Sequence, residues 1–292
     1  MGESTAGSSG GGDWLTLDNA AKIYPSTASA DSPAEFRLGF TLRRPVRLLY
    51  LQRALERVTP RFPSFQVTLH RGFFWYYLQR TSSIPQVQLL ENVPATVISL
   101  IDRNSPLLRV SARGRTIAVD FSHIITDGGG ATRFLLTLAA DYLRRCGITI
   151  PEHPSLTDPD EPPAPEEAED AHRRSYGESR GRPENLSPAY HIADRSFSHL
   201  RYRALRGIMP AKEVLQLVKA EGVTLTEYLT ALYIDSLAKV YRREQRDGRR
   251  QKQSTIRLEV PVDMRRYHPS KTMRNFSLYL SPEVDLSLGE YS

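Results

Sequence analysis

Apolar and polar positions trade places along this chain with two clear periods. From Thr116 to Ser122, Ile117, Val119 and Phe121 alternate with Thr116, Ala118 and Asp120, the two-residue period of a half-buried strand. Carried one step further, the alternation puts His123 on the apolar parity, so its imidazole is expected to point inward. Beyond it, Phe134, Leu135, Leu138, Tyr142 and Cys146 recur at helical spacing, Arg144 and Arg145 sit in the last turn, and Gly147 follows as a stop signal. His123 therefore ends a strand, and Gly128 to Gly130 open a helix.

The rest of the chain divides by the same reading. Phe36 to Leu42 reads as a strand, and Leu48, Leu51, Leu55 and Val58 form the apolar stripe of a helix that Pro60 and Pro63 end. Phe65 to Leu69 and Phe73 to Leu78 are β-branched and aromatic strand candidates joined at Arg71-Gly72. Leu107 to Ala112 and Thr116 to Ser122 flank Arg113-Gly114-Arg115 as a second hairpin. The composition then changes. Pro151 to Asp170 holds eight acidic residues, six prolines and no Lys or Arg, a stretch that reads as a mobile linker. Past it come a strand at Tyr202 to Ile208 and a helix at Ala211 to Ala220. Thr224 and Glu227 then form a capping box for a longer helix, expected to be buried through Leu225, Leu229, Leu232 and Leu237. Ile256, Leu258 and Val260 alternate up to Pro261, and Phe276, Leu278 and Leu280 alternate again. These patterns predict an α/β protein with mixed sheets and packed helices. Its expected divisions are a disordered tail over 1–13, an N-terminal unit over 14–150, a linker over 151–198 and a second mixed α/β unit over 199–292.

With 292 residues, 40% of them apolar and 25% charged, the chain can bury a sizeable core. Its single cysteine, Cys146, excludes an intrachain disulfide and fits a reducing compartment. No apolar window approaches membrane-spanning length, and the Gly/Ser-rich start has neither a basic opening nor an apolar segment after it, so secretion is not expected. Met1-Gly2 is followed by Ala6 where a myristoylation site needs Ser or Thr. A cytoplasmic location is the expectation. The net charge of +6 comes from basic residues scattered among acidic ones, with no aromatic-studded basic stripe, so nucleic acid is not an expected partner. A polyanionic small ligand such as coenzyme A would still gain from it.

The candidate chemistry gathers at Phe121-Ser122-His123-Ile124-Ile125-Thr126-Asp127-Gly128-Gly129-Gly130. A neutral imidazole can take a proton from a hydroxyl or amine and return one to a leaving group, the exchange that acyl transfer needs. Two readings compete for Asp127. It orients His123 as in a hydrolase triad, or it pairs with an arginine and fixes the turn. The glycine-rich corner and the lack of a nucleophile motif favour the turn. The three glycines would permit positive φ and close backbone approach. A buried structural histidine beside a plain tight turn is the competing account of the whole stretch. The seven histidines, His153, His172 and His191 among them, show no ligand spacing, so no metal is expected.

His123-Ile124-Ile125-Thr126-Asp127-Gly128 resembles the HxxxDG signature of the chloramphenicol acetyltransferase-like superfamily, which includes condensation domains of peptide synthetases, wax ester synthases and alcohol acyltransferases. Leu17 to Pro25, Arg61-Phe62-Pro63 with Phe74 to Leu78, and Val260 to Arg266 with Arg274-Asn275-Phe276 extend the likeness toward the alcohol acetyltransferase-like branch. The resemblance implies a two-lobed fold with the site at the lobe junction. A thioester donor, acyl-CoA or a carrier-bound acyl group, and an alcohol or amine acceptor would meet there, with no permanently bound cofactor. It also implies His123 as general base, Asp127 and Gly128 as structural residues, Arg265 as the partner of Asp127, and Asn275 as a substrate contact. The position of a second histidine found in many relatives is Ser122 here. Members of that superfamily usually run longer, so the second lobe is expected to be incomplete, completed by further chain or by self-association. A non-catalytic binding protein is the alternative, and an ester hydrolase using His123 and Asp127 a third.

Overall fold

A computed structural model describes residues 14–27, 34–91, 106–177, 186–192, 207–248 and 252–289. The tail over 1–13, most of the strand expected at Tyr202 to Ile208, and much of 178–206 lie outside the described residues. Two compact units result. The first takes residues 1–176 together with Arg265–Phe276, and the second takes 177–264 and 277–292.

In the first unit, β1 (Trp14–Thr16), α1 (Tyr24–Thr27), β2 (Glu35–Thr41), α2 (Leu48–Val58), β3 (Val67–Arg71), β4 (Tyr76–Arg80), β5 (Gln88–Leu89), β6 (Leu108–Arg113), β7 (Thr116–Ser122), α3 (Gly128–Arg145) and α4 (Ala171–Ser175) follow in order. They build a four-stranded sheet ordered β2-β7-β6-β5 and a three-stranded sheet ordered β1-β4-β3. The central β7 runs antiparallel to both β2 and β6, with Val119 opposite Leu38 and Val110. One face of β7 delivers Ile117, Val119 and Phe121 to the core, where Leu51, Ala54 and Leu55 of α2 and Phe134, Leu138 and Tyr142 of α3 meet them. Phe62, Phe65, Phe121 and Phe134 interlock there with ring centroids 5.2–5.9 Å apart. The other face carries Asp120, which is buried and therefore needs a partner. Arg37 supplies it through a two-pronged bond, Nε and Nη2 donating at 2.6 and 2.9 Å.

The stretch expected as a mobile linker is held onto this unit over its first part. It does so without much apolar area, by polar attachment. Arg61 donates to the Glu167 carboxylate at 2.5 and 2.8 Å, Arg57 bridges Asp141 and Asp160, and the Thr157 amide donates to Thr137 Oγ1 at 3.1 Å. The acidic residues that argued for a solvated tether are the groups that fasten it. The hairpin of β3 and β4 also differs from the expectation. Its turn lies at 72–75, so Phe73, Phe74 and Trp75 form the apex and not the start of a strand.

In the second unit, α5 (Ala211–Ala220) and α6 (Leu225–Arg246) precede β8 (Thr255–Arg257), β9 (Val260–Asp263), β10 (Ser277–Leu280) and β11 (Glu283–Asp285). β9 pairs with β10 and β8 with β11, both antiparallel. The capping box opens α6 as expected: the Thr224 side chain accepts from the Glu227 amide, and Glu227 reaches back to the Thr224 amide at 2.7 Å. Burial of α6 is a correction. Leu225, Leu229 and Leu232 are 38%, 44% and 46% exposed, and the helix is buried instead near its end, at Ala238, Tyr241 and Glu244. Tyr190 stands against that end, its hydroxyl 2.8 Å from Glu244 and its ring edge-on to Tyr241. The apolar period is present, but no described residue of this unit covers the first turns.

Candidate active site

β7 hands the chain to α3 through the corner 123–127. The strand ladder runs one residue past β7, since the His123 amide donates to the Ala34 carbonyl at 2.8 Å. The imidazole is thereby held at the end of a central strand, where it stacks on Tyr24 with centroids 5.1 Å apart and packs against Phe36 at 4.4 Å. Nδ1 is buried and makes no hydrogen bond of normal geometry. A protonated ring would carry a second N–H with one of its ring nitrogens in that dry position, so burial pushes the His123 pKa below its ordinary value. The Asp127 carboxylate and the Thr126 backbone oppose the shift without reversing it. The ring is therefore held neutral, the form that accepts a proton.

Asp127 spends both carboxylate oxygens away from the imidazole. Oδ1 caps α3, accepting from the amides of Gly129 at 3.0 Å and Gly130 at 3.2 Å. Oδ2 accepts from Arg265 Nη1 at 2.9 Å and from the Phe276 amide at 2.7 Å. Arg265 continues outward, donating to the carbonyls of Thr272 and Arg274 at 3.0 and 2.7 Å through Nη2. One buried carboxylate thus ties the N-terminus of α3 to both ends of the segment 265–276. Thr126 adds a second tie, its Oγ1 donating to the Met273 carbonyl at 2.7 Å.

The glycines act by close approach. None of Gly128, Gly129 and Gly130 has positive φ. A Cβ on Gly130 would lie 2.3 Å from both the Met273 carbonyl oxygen and Thr126 Oγ1, whereas one on Gly128 would meet nothing. The residue with no room is therefore Gly130, not Gly128, and the reason is a backbone that arrives from Met273, far along the chain.

Asn275 lies behind the His123 main chain. It is 1% exposed, and its Nδ2 donates to the His123 carbonyl at 2.9 Å and to Asp18 Oδ2 at 3.3 Å. Asp18, wholly buried, also accepts from the Ala21 amide at 2.8 Å and has Arg274 Nε at 3.5 Å. Burial raises the Asp18 carboxyl pKa, with Arg274, the Ala21 amide and Asn275 pulling the other way. Tyr24, Phe36, Asp18 and Arg274 join the site by contact alone. No short motif marks Phe36, while Asp18, Tyr24, Arg274 and Asn275 fall inside stretches that carry the family resemblance.

No protein-family model and no curated protein matches the sequence. Solved structures do. The SgcC5 protein from Streptomyces globisporus is 16% identical with a TM-score of 0.54, over 94% of this chain and 69% of that one. Polyketide synthase associated protein 5 from Mycobacterium tuberculosis is 14% identical with a TM-score of 0.58, over 92% and 67%. The first condensation domain of the CDA synthetase is 17% identical with a TM-score of 0.50, over 93% and 70%. This chain has the condensation-domain fold. About a third of each of these chains has no counterpart in it. His123 and Asp127 lie in the corner that joins β7 to α3. Among the described residues no helix is long and apolar enough to cross a membrane, and no three His, Cys, Asp or Glu side chains gather as a metal site.

Proposed function

We propose that this protein is an acyltransferase that moves an acyl group from a thioester, coenzyme A or a carrier-bound arm, to an alcohol or amine. The observation that carries the reading is the His123 ring, neutral by burial, wedged between two aromatic rings at the end of a central strand, with Asp127 committed to other partners. The condensation-domain fold supports it as an analogy of architecture. Because Nδ1 is buried, proton exchange is assigned to Nε2. The acceptor O–H or N–H gives its proton to Nε2 as the oxygen or nitrogen attacks the thioester carbonyl. The tetrahedral oxyanion then collapses, the C–S bond breaks, and the departing sulfur takes the proton back from His123. Asp127 and Arg265 keep the strand-to-helix corner in register, and Asn275 fixes the His123 main chain. Acyl-CoA is a co-substrate in this scheme, and no resident cofactor is required.

Thiol release from acetyl-CoA and from an acyl-pantetheine, each with a panel of alcohols and amines, tests the proposal. Release that depends on acceptor and falls about 10²–10⁴-fold in His123→Ala supports it. Release unaffected by that substitution overturns it. A second reading, a non-catalytic interaction domain, is favoured by the X-domain from teicoplanin biosynthesis, solved in complex with OxyB and similar to 98% of this chain at 13% identity and a TM-score of 0.51. Thioester binding without turnover would favour that reading.

A further inference from the structure

The hairpin of β3 and β4 presents a surface that the candidate active site does not use. Arg71 pairs with Tyr76, and the Gly72 amide donates to the Trp75 carbonyl at 2.7 Å, which leaves Phe73 and Phe74 as the two apex residues. Two-residue hairpin turns ordinarily take Gly, Asn or Asp there, because those residues suit the backbone and the water around it. Here the apex is aromatic instead. Phe73, Phe74 and Trp75 are 87%, 84% and 62% exposed, and the two phenyl rings pack edge to face at 4.5 Å. Below them the hairpin is anchored by buried Leu69 and Leu78 and by pairing of β4 with β1, so the tip is a supported projection. Local turn chemistry gives no reason for three neighbouring aromatic rings in water, and contiguous exposed apolar surface marks an interaction site.

The charge pattern selects the partner. From Val58 to Leu90 the chain contains no Asp or Glu, and Arg71, two residues before Phe73, is exposed. We propose that this apex inserts into the interfacial region of an anionic lipid bilayer, Phe73, Phe74 and Trp75 entering at headgroup level while Arg71 meets lipid phosphate. Aromatic rings favour that depth, and a guanidinium pairs well with phosphate oxygens. A convex tip suits a deformable surface better than a pocket. The attachment is peripheral and reversible, as expected for a few side chains. It is independent of whether His123 carries out any reaction.

Co-sedimentation with vesicles of phosphatidylcholine, alone and mixed equally with phosphatidylglycerol, tests this. The full chain should pellet with the anionic vesicles. The double substitution Phe73→Ser, Phe74→Ser should weaken partition by about tenfold or more, and its melting temperature should stay that of the wild type. Trp14→Phe leaves Trp75 as the single indole of the protein's two. Its emission should move to the blue on binding and be quenched by lipids brominated along the acyl chain. A wild-type chain that stays in the supernatant, a double variant that pellets equally well, or a Trp75 that ignores brominated lipid would each overturn the proposal.

Discussion

Replacing Asp127 by Asn separates two roles that one carboxylate could play. The amide oxygen can keep the bonds from Gly129 and Gly130, so the cap of α3 survives. Its NH₂ then faces Arg265 Nη1 and the Phe276 amide, donor against donor, where Oδ2 accepted both at 2.9 and 2.7 Å. Removing one partner of a buried ion pair costs about 3–5 kcal/mol. Arg265 keeps the Thr272 and Arg274 carbonyls, which places the cost at the low end, about 3 kcal/mol. At about 2–4 °C per kcal/mol for a chain of this size, melting should fall by roughly 6–12 °C. Asp127→Ala should lose about 1 kcal/mol more, because the cap goes as well. Calorimetry of the wild type and both variants measures this. An Asp127→Asn protein that melts within about 2 °C of the wild type while losing thiol release would refute the reasoning. The carboxylate would then be serving His123, not the segment 265–276.

Burial holds the His123 pKa below its ordinary 6.5, so the unfolded chain takes up the extra proton first on acidification. The stability that neutral His123 contributes is complete above the unfolded value and drains away as pH falls through the lower folded one. Denaturant midpoints taken from neutral to mildly acidic pH should drop more for the wild type than for His123→Gln; equal slopes would show that the ring is not held neutral. Gly130→Ala should cost about 3 kcal/mol or more through the collision with the Met273 carbonyl, whereas Gly128→Ala should be neutral or stabilising by up to about 1 kcal/mol. Urea unfolding of the two variants checks the contrast. Asn275→Ala leaves the His123 carbonyl without its donor and should cost about 2 kcal/mol, with a matching loss of thiol release. Asn275→Asp sets a second carboxylate beside Asp18 Oδ2 and should destabilise more at neutral pH than in mild acid, read by the same melts.

What could be read from the chain was whatever a short period encodes. Ile117, Val119 and Phe121, then Phe134, Leu138 and Tyr142, are all buried where alternation and helical spacing put them. The capping box at Thr224 and the helix at Ala211–Ala220 are local patterns of the same kind. Period says which side of an element is apolar, but not what lies against it, which is why the exposure of Leu225, Leu229 and Leu232 is not legible in the sequence. Charge density likewise said that 151–170 buries little apolar area, and not that Arg57 and Arg61 stand ready to bind it. At the site, the strand-to-helix corner was legible. Close backbone approach at the three glycines was legible too, but not that Gly130 is the one without room, because the obstruction comes from Met273, and the duty of Asn275 depends on meeting His123 and Asp18 in space.

The segment 265–276 completes the first unit although 177–264, most of the second unit, comes before it in the chain. During synthesis the ribosome must make 177–264 before Arg265 can reach Asp127, so the nascent N-terminal half waits with that carboxylate lacking its cation. A fragment cut at Tyr176 would keep that vacancy permanently.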